Sequence, residues 1–395
     1  MLPRNLRTIR GKTPPEMHHE IWRDRIRYHP KYMLKRLLPY CLLCATALIA
    51  AAQNAPKAPI QVKVVVVAMF EVGADTGDKP GELQYWVERD HLDQIFPLPA
   101  AYHDARMNSE GELAIVTGQG TAHAAATIMA LGLDPRFDLS HAYWLVAGIA
   151  GGSPDTVSLG SAVWANWIVD GDLGYEIDAR EIPATWSTGM LPLRKKEPFE
   201  APADPLAGQL YQTNRNLMDW AYAITRNTPL EDSDKLKEIR SHFEGKMAQN
   251  SPQVLRGDEV TGSTYWHGKL MEEWATKWMD YYSGGKGKFA TTAMEDTGTL
   301  QSLEYLARAG KVDWQRILIL RTVSNFDRQP NGMDAATSLS NQRIGAYGAY
   351  LPSLEAAYTV GHKVVGELLK GWDSHYKEQL PQAVALTDLP MANHP

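Results

Sequence analysis

Cysteine is almost missing from this chain. Its 395 residues include two, Cys41 and Cys44, and both lie inside one apolar run near the N-terminus. Loss of that segment would leave a chain without thiols, which excludes disulfides, thiolate catalysis and thiolate-bound metal. Beyond residue 52 no apolar run approaches membrane length, and a mean hydropathy of −0.33 argues against a multi-span membrane protein. Metal-ligand spacing is lacking too. His103, His123, His141, His267 and His362 stand far apart, so neither a metal nor another cofactor is expected.

Basic charge is also scarce over most of the chain. The net charge is −6, yet residues 1–52 hold ten Lys/Arg against three Asp/Glu, leaving 30 basic and 43 acidic residues for the remainder. An acidic body offers no cationic face for a duplex, so nucleic acid is excluded as a partner. The basic leader has another reading. Lys31, Lys35 and Arg36 precede the apolar run Leu37–Ala52, and small residues (Ala50, Ala51, Ala52, then Ala55) close it. That is the order of a secretory signal peptide, short for a bilayer span of roughly 20 residues. Residues 1–52 are therefore expected to be a leader, with Met33 as a candidate true start. The mature protein is expected to be exported, to a periplasm or the exterior, without an integral span.

What is present is an alternation. Val62–Met69 is a near-continuous β-branched run, as in strands buried on both faces. Shorter runs follow at Leu113–Thr117, Tyr143–Ala147, Ala162–Val169 and Ile317–Arg321. Helical patterns fall between them at Ala122–Leu133, Ala203–Ile224, Gly268–Tyr282, Gly298–Ala309 and Pro352–Trp372. This predicts a single α/β domain over 53–372, a central mixed sheet flanked by helices, with residues 373–395 a loose tail.

Two strands run into glycine-rich turns, where α/β sheets place ligands. One is Gly118-Gln119-Gly120-Thr121. The other is Gly148-Ile149-Ala150-Gly151-Gly152. Neither matches the dinucleotide fingerprint or the phosphate-binding P-loop. A third segment, Ala293-Met294-Glu295-Asp296, opens a helix, and the next strand leads to Arg321-Thr322-Val323-Ser324-Asn325-Phe326-Asp327.

Together, GQGTAHAA, GIAGG, AMED and RTVSN resemble the nucleoside phosphorylase and nucleosidase superfamily. GDEVTGSTYWHG at 257–268, DGDLGYEIDAREIP at 170–183 and VGADTGD near the start bring the chain close to the purine nucleoside permease family. The likeness covers about residues 60–370. It implies a phosphorylase-like fold and a purine nucleoside as ligand. It also implies that Glu295 grips the ribose hydroxyls with Met294 beneath the sugar, and that Tyr265 and Trp266 lie against the base. A carboxylate accepts from two vicinal hydroxyls at once, and aromatic faces stack on purines. Many superfamily nucleosidases carry Asp where this chain has Asn325. An amide can bond the leaving purine but cannot supply a proton. Asp327, two residues on, would face the same side of an extended segment and is the alternative acid. Glu71 sits close to where hydrolytic members carry a Glu, and is expected to orient a water.

No arginine lies in the glycine segments, while Glu71 and Asp75 make the first turn acidic, so water is favoured over phosphate as nucleophile. The leading expectation is a purine nucleoside-binding protein that cleaves the N-glycosidic bond by hydrolysis. Two alternatives stay open: a binding component assisting nucleoside transport, or a non-catalytic storage protein. Superfamily members are often oligomers, so a homo-oligomer is also open.

Overall fold

The computed structural model describes residues 58–342 and 347–382; the leader, with both cysteines and the cleavage region, lies outside them. The Val62–Met69 run becomes strand β1, Val64–Ala68, buried at all five positions. Alternate valines serve opposite faces. Val64 and Val66 join a core with Trp86, Tyr143, Leu145, Leu318, Val360 and Val364, whereas Val65 and Val67 join one with Ile128, Leu131, Trp144, Val146, Leu300 and Ile319. A strand with apolar layers on both sides reads as unbroken rather than alternating hydrophobicity.

β1 pairs in parallel with β2 (Glu112–Val116) on one edge and β3 (Tyr143–Gly152) on the other. They belong to a twelve-stranded mixed sheet. It continues through β4 (Ala162–Ala165), β5 (Trp167–Asp170), β6 (Asp258–Thr261), β7 (Phe289–Ala293) and β8 (Ile317–Phe326). β8 runs parallel to β3 over its whole length and antiparallel to β4. β3 changes neighbours along its course: its first half pairs β1, and Gly151 and Gly152 pair β7. Five helices matter for the site: α1 (Gln84–Arg89), α2 (Thr121–Gly132), α3 (Lys269–Ser283), α4 (Asp296–Arg308) and α5 (Tyr350–Gly371). α2 and α4 cover one face, α5 and α1 the other. The expected α/β architecture, a mixed sheet flanked by helices, is present.

Three expectations need correction. The run Ala162–Val169 is two strands, because the N–H groups of Asn166 and Trp167 turn to the Asp258 carboxylate at 3.2 and 2.8 Å. The helix expected over Ala203–Ile224 begins only at Arg215; before it, Leu210–Gln212 pairs with β5. Of the tail expected to be loose, residues 373–382 are packed, and 383–395 lie outside the described residues. The Tyr376 carbonyl accepts from Tyr143 Oη at 2.8 Å and Arg316 Nη1 at 2.6 Å, and Tyr376 and Leu380 pack on the core. No helix among the described residues is long and apolar enough to cross a membrane.

Candidate functional site

A cavity of about 280 Å³ opens where β1, β3, β7 and β8 end. This is close to the lower bound, about 300 Å³, of small-molecule sites. Its wall includes Met69, Glu82, Gln119, Gly151, Tyr265, Trp266, Thr292, Met294, Glu295, Ser324, Asn325 and Tyr347. Residues singled out in separate segments of the sequence thus meet on one surface: Gly151, Tyr265, Trp266, Met294, Glu295 and Asn325.

Glu295 lies directly before α4 and is 5% exposed. Its Oε2 accepts from Met294 N–H and Arg321 Nη2, both at 3.2 Å, and its Oε1 lies 3.5 Å from Gly120 N. Burial pushes its pKa up, and the Arg321 guanidinium opposes this. Arg321, on β8, is fully buried and shared: it bonds both oxygens of Asp296, the Nε contact being 3.0 Å, and stands 3.8 Å from Glu259. It therefore balances a carboxylate floor beneath the cavity and does not line the cavity itself. Asp296 and Arg321 show why this segment tolerates several acids together.

Asn325 Nδ2 donates to Tyr265 Oη at 3.2 Å, and its Oδ1 lies 2.9 Å from Ser324 Oγ. Tyr265 in turn bonds Gln342. Trp266 meets Trp274 edge-on, with ring centroids 6.0 Å apart. Tyr265 and Trp266 thus form an aromatic wall facing the cavity, tied to the amide on one side and to the core on the other.

The glycine segments divide into a turn and a strand. Gly118 and Gly120 have φ of 82° and 90°, the left-handed region open to glycine, and they turn the chain from β2 into α2. Gly148, Gly151 and Gly152 are not a turn, as expected, but the end of β3. A side chain at Gly148 would overlap Met69 and Glu82, one at Gly151 would overlap Asp327 and Thr292, and one at Gly152 would meet Val157 and Val323. Glycine is needed there for close approach of neighbours.

Glu71 is not in the cavity. Its carboxylate accepts from the N–H groups of Val72, Gly81, Leu83 and Gln84, the Gln84 contact being 2.7 Å, and so ties the loop after β1 to the start of α1. Asp75 is likewise engaged, by Arg106 Nη2 at 2.6 Å and His103 Nε2 at 2.9 Å. The acids of the first turn are thus spent on partners away from the cavity, Asp75 on Arg106 and Glu71 on backbone N–H groups. Asp327 lies behind the cavity wall: its Oδ1 accepts from Thr292 Oγ1 at 2.7 Å, and Thr292 and Gly151 stand between it and the cavity.

The carboxylate that does enter is Glu82, which sequence reasoning passed over. Its Oε2 accepts from Met69 N–H at 2.6 Å and its Oε1 from Ile149 N–H at 2.7 Å. Burial, with the Glu295 charge adding to it, raises its pKa to about 8 against the pull of Arg321. An acid placed just before a short helix with an apolar face (Leu83, Trp86, Val87) was the available signal. Among the described residues no group of acids, cysteines and histidines is arranged to hold a metal ion.

These features define an α/β domain with a small-molecule cavity between a buried carboxylate floor and an aromatic wall. Residues 61–381 match the purine nucleoside permease (NUP) family, and the chain belongs to that family. A purine nucleoside permease of Candida albicans is 28% identical over 332 residues, covering 83% of this chain and 80% of that protein. A probable purine nucleoside permease of Schizosaccharomyces pombe is 27% identical over 78% of this chain and 90% of its own. Among solved structures, the Helicobacter pylori futalosine hydrolase is similar at 14% identity and a TM-score of 0.47, over 78% of this chain and 98% of that one.

Proposed function

We propose that this protein binds purine nucleosides in the cavity and hydrolyses their N-glycosidic bond. The observation that carries the reading is Glu82: a buried carboxyl held by two backbone N–H groups, on the same cavity as Glu295. Glu295 takes the ribose hydroxyls, Tyr265 and Trp266 stack on the base, and Asn325 bonds its edge. Glu82, once ionised, accepts a proton from a water that attacks the anomeric carbon. Negative charge beside the sugar also stabilises the positive character that develops as the base departs. Phosphate is the poorer nucleophile here. The burial and the Glu295 charge that hold a proton on Glu82 would penalise a dianion in the same space.

A second reading, nucleoside capture for uptake, is favoured by Asn325, which can hold a base without protonating it, and by the permease names of the relatives. Incubation with adenosine, inosine and guanosine, with and without phosphate, separates the readings. Hydrolysis releases free base and ribose at a rate independent of phosphate. Ribose 1-phosphate in phosphate buffer overturns the choice of nucleophile, and tight binding without turnover supports capture.

A further inference from the structure

Glycosidic cleavage leaves an electron pair on the departing base, and Asn325 has no proton to give. Directly behind the cavity wall stands a further buried carboxyl. Asp327 is 2% exposed, and its Oδ2 has no hydrogen-bond partner among the described residues. Its Oδ1 lies 2.7 Å from Thr292 Oγ1, and Thr292 lines the cavity. Its backbone is pinned on both sides, the N–H donating to Gly152 O at 3.0 Å and the carbonyl accepting from Gly268 N at 2.8 Å. Gly151 has no side chain to separate the carboxyl from Thr292, and any there would overlap both. A buried acid so placed, with an orphaned oxygen, is costly as a carboxylate and easy to keep as a carboxylic acid.

We infer that Asp327, acting through the Thr292 hydroxyl, delivers the proton that the leaving purine requires. This rests on the hydrolase reading. As the bond between the anomeric carbon and the base breaks, its electron pair passes to the purine. A ring nitrogen of the purine takes the Thr292 hydroxyl proton, and Thr292 takes the Asp327 proton. Meanwhile the water oxygen bonds to the anomeric carbon and gives its proton to Glu82. Solvent exchange then restores Asp327 and Glu82, so nucleoside plus water becomes base plus ribose. Burial pushes the Asp327 pKa well above the ordinary carboxylate range and the charge of Glu272 adds to this, against the pull of the Thr292 hydroxyl and Arg328. Glu272, bonded to Ser153 and paired with Arg328 Nε at 3.3 Å, lines a separate polar cavity of about 500 Å³ with Asp155, Lys269 and Lys277.

The test uses two leaving groups on the intact protein. Inosine needs its base protonated, whereas p-nitrophenyl β-D-riboside releases a stable phenolate. Thr292→Val and Asp327→Asn are expected to slow inosine cleavage ~100-fold. They should leave p-nitrophenyl riboside within about threefold of wild type, and Thr292→Ser should restore inosine cleavage. Undiminished inosine cleavage in Thr292→Val, or equal losses on both substrates, overturns the relay while the hydrolase reading stands. A wild-type protein that releases no base from any purine nucleoside removes both.

Discussion

Two groups of buried carboxylates stand in contrast, one facing the ligand cavity and one facing none. Around Arg321 gather Glu82, Glu259, Glu295 and Asp296; elsewhere Asp90 and Glu112 meet Asn108, Tyr358 and His362. Both clusters hold protons that free carboxylates would lose: burial raises Glu259 and Glu112 well above the usual range. They differ in the partner. Arg321 is buried, permanently charged and saturated by the floor, so Glu82 and Glu295 can turn their remaining capacity toward a ligand. In the second cluster Asp90 accepts from Tyr358 at 2.7 Å and pairs at 2.9 Å with His362, which is half-exposed and titratable. That cluster lines neither of the two cavities described above. A perturbed carboxyl therefore marks a site only when acceptor capacity and open space coincide with it.

The sharpest way to break this contrast is Glu82→Gln. It should lower turnover roughly 1,000-fold, within the usual range for losing an acid–base group. Nucleoside affinity, measured by calorimetry, should stay within about threefold. Preserved turnover would move the water-activating role elsewhere. Next comes Glu295→Ala, expected to cost roughly 2–4 kcal/mol in kcat/KM for ribonucleosides by leaving two sugar hydroxyls unpaired. 2′-Deoxynucleosides should already be poor ligands of the wild type and lose little further. Equal wild-type affinity for both sugars would remove Glu295 from the ribose.

A third prediction concerns pH. Glu82 keeps its proton to about 8 when folded, against an ordinary value of 4.5, so between these limits the folded state binds more protons than the unfolded one. Stability must then fall as pH rises through that window, by at most ~1.4 kcal/mol per unit from this group. Urea titrations at several pH values should show a shallower decline in Glu82→Gln. Activity should run the opposite way, rising toward pH 8 as the base ionises. The smallest effect belongs to the other cluster. The Asp90 carboxylate raises the His362 pKa, so the pair stabilises the fold at acid pH and stops doing so as pH climbs through that raised value. His362→Ala should lose about 0.5 kcal/mol or less at pH 5.5 and nothing at pH 9, with turnover unchanged. Melting curves at the two pH values read it directly.

Much of this arrangement was legible in the sequence, because its parts lie at the ends of strongly patterned elements. Glu295 stands where β7 yields to α4, Asn325 at the end of β8, and Tyr265 shortly after β6. Glu82 carried only a weak signal, for a physical reason. Thirteen residues separate it from Met69, whose N–H it accepts, and the excursion between them has no periodicity to measure. The resemblance, matched along the sequence, therefore fell on Glu71. The GIAGG segment misled in a related way. Glycines read as a turn when nothing shows the side chains pressing on them, and here those come from residues 69, 82, 292 and 327, far off in the chain.

Glu71 has its own consequence for how this protein will look to anyone scanning it by loss of activity. Its four backbone hydrogen bonds close the excursion into a ring, and that ring sets where Glu82 emerges. An alanine at either position would score as an inactive clone, and the two would be drawn as a pair of equivalent hits. Limited proteolysis separates them. A clasp, once cut, frees a whole segment to wander and be cleaved, while an alanine in place of Glu82 strands the Met69 and Ile149 N–H groups but leaves that loop closed.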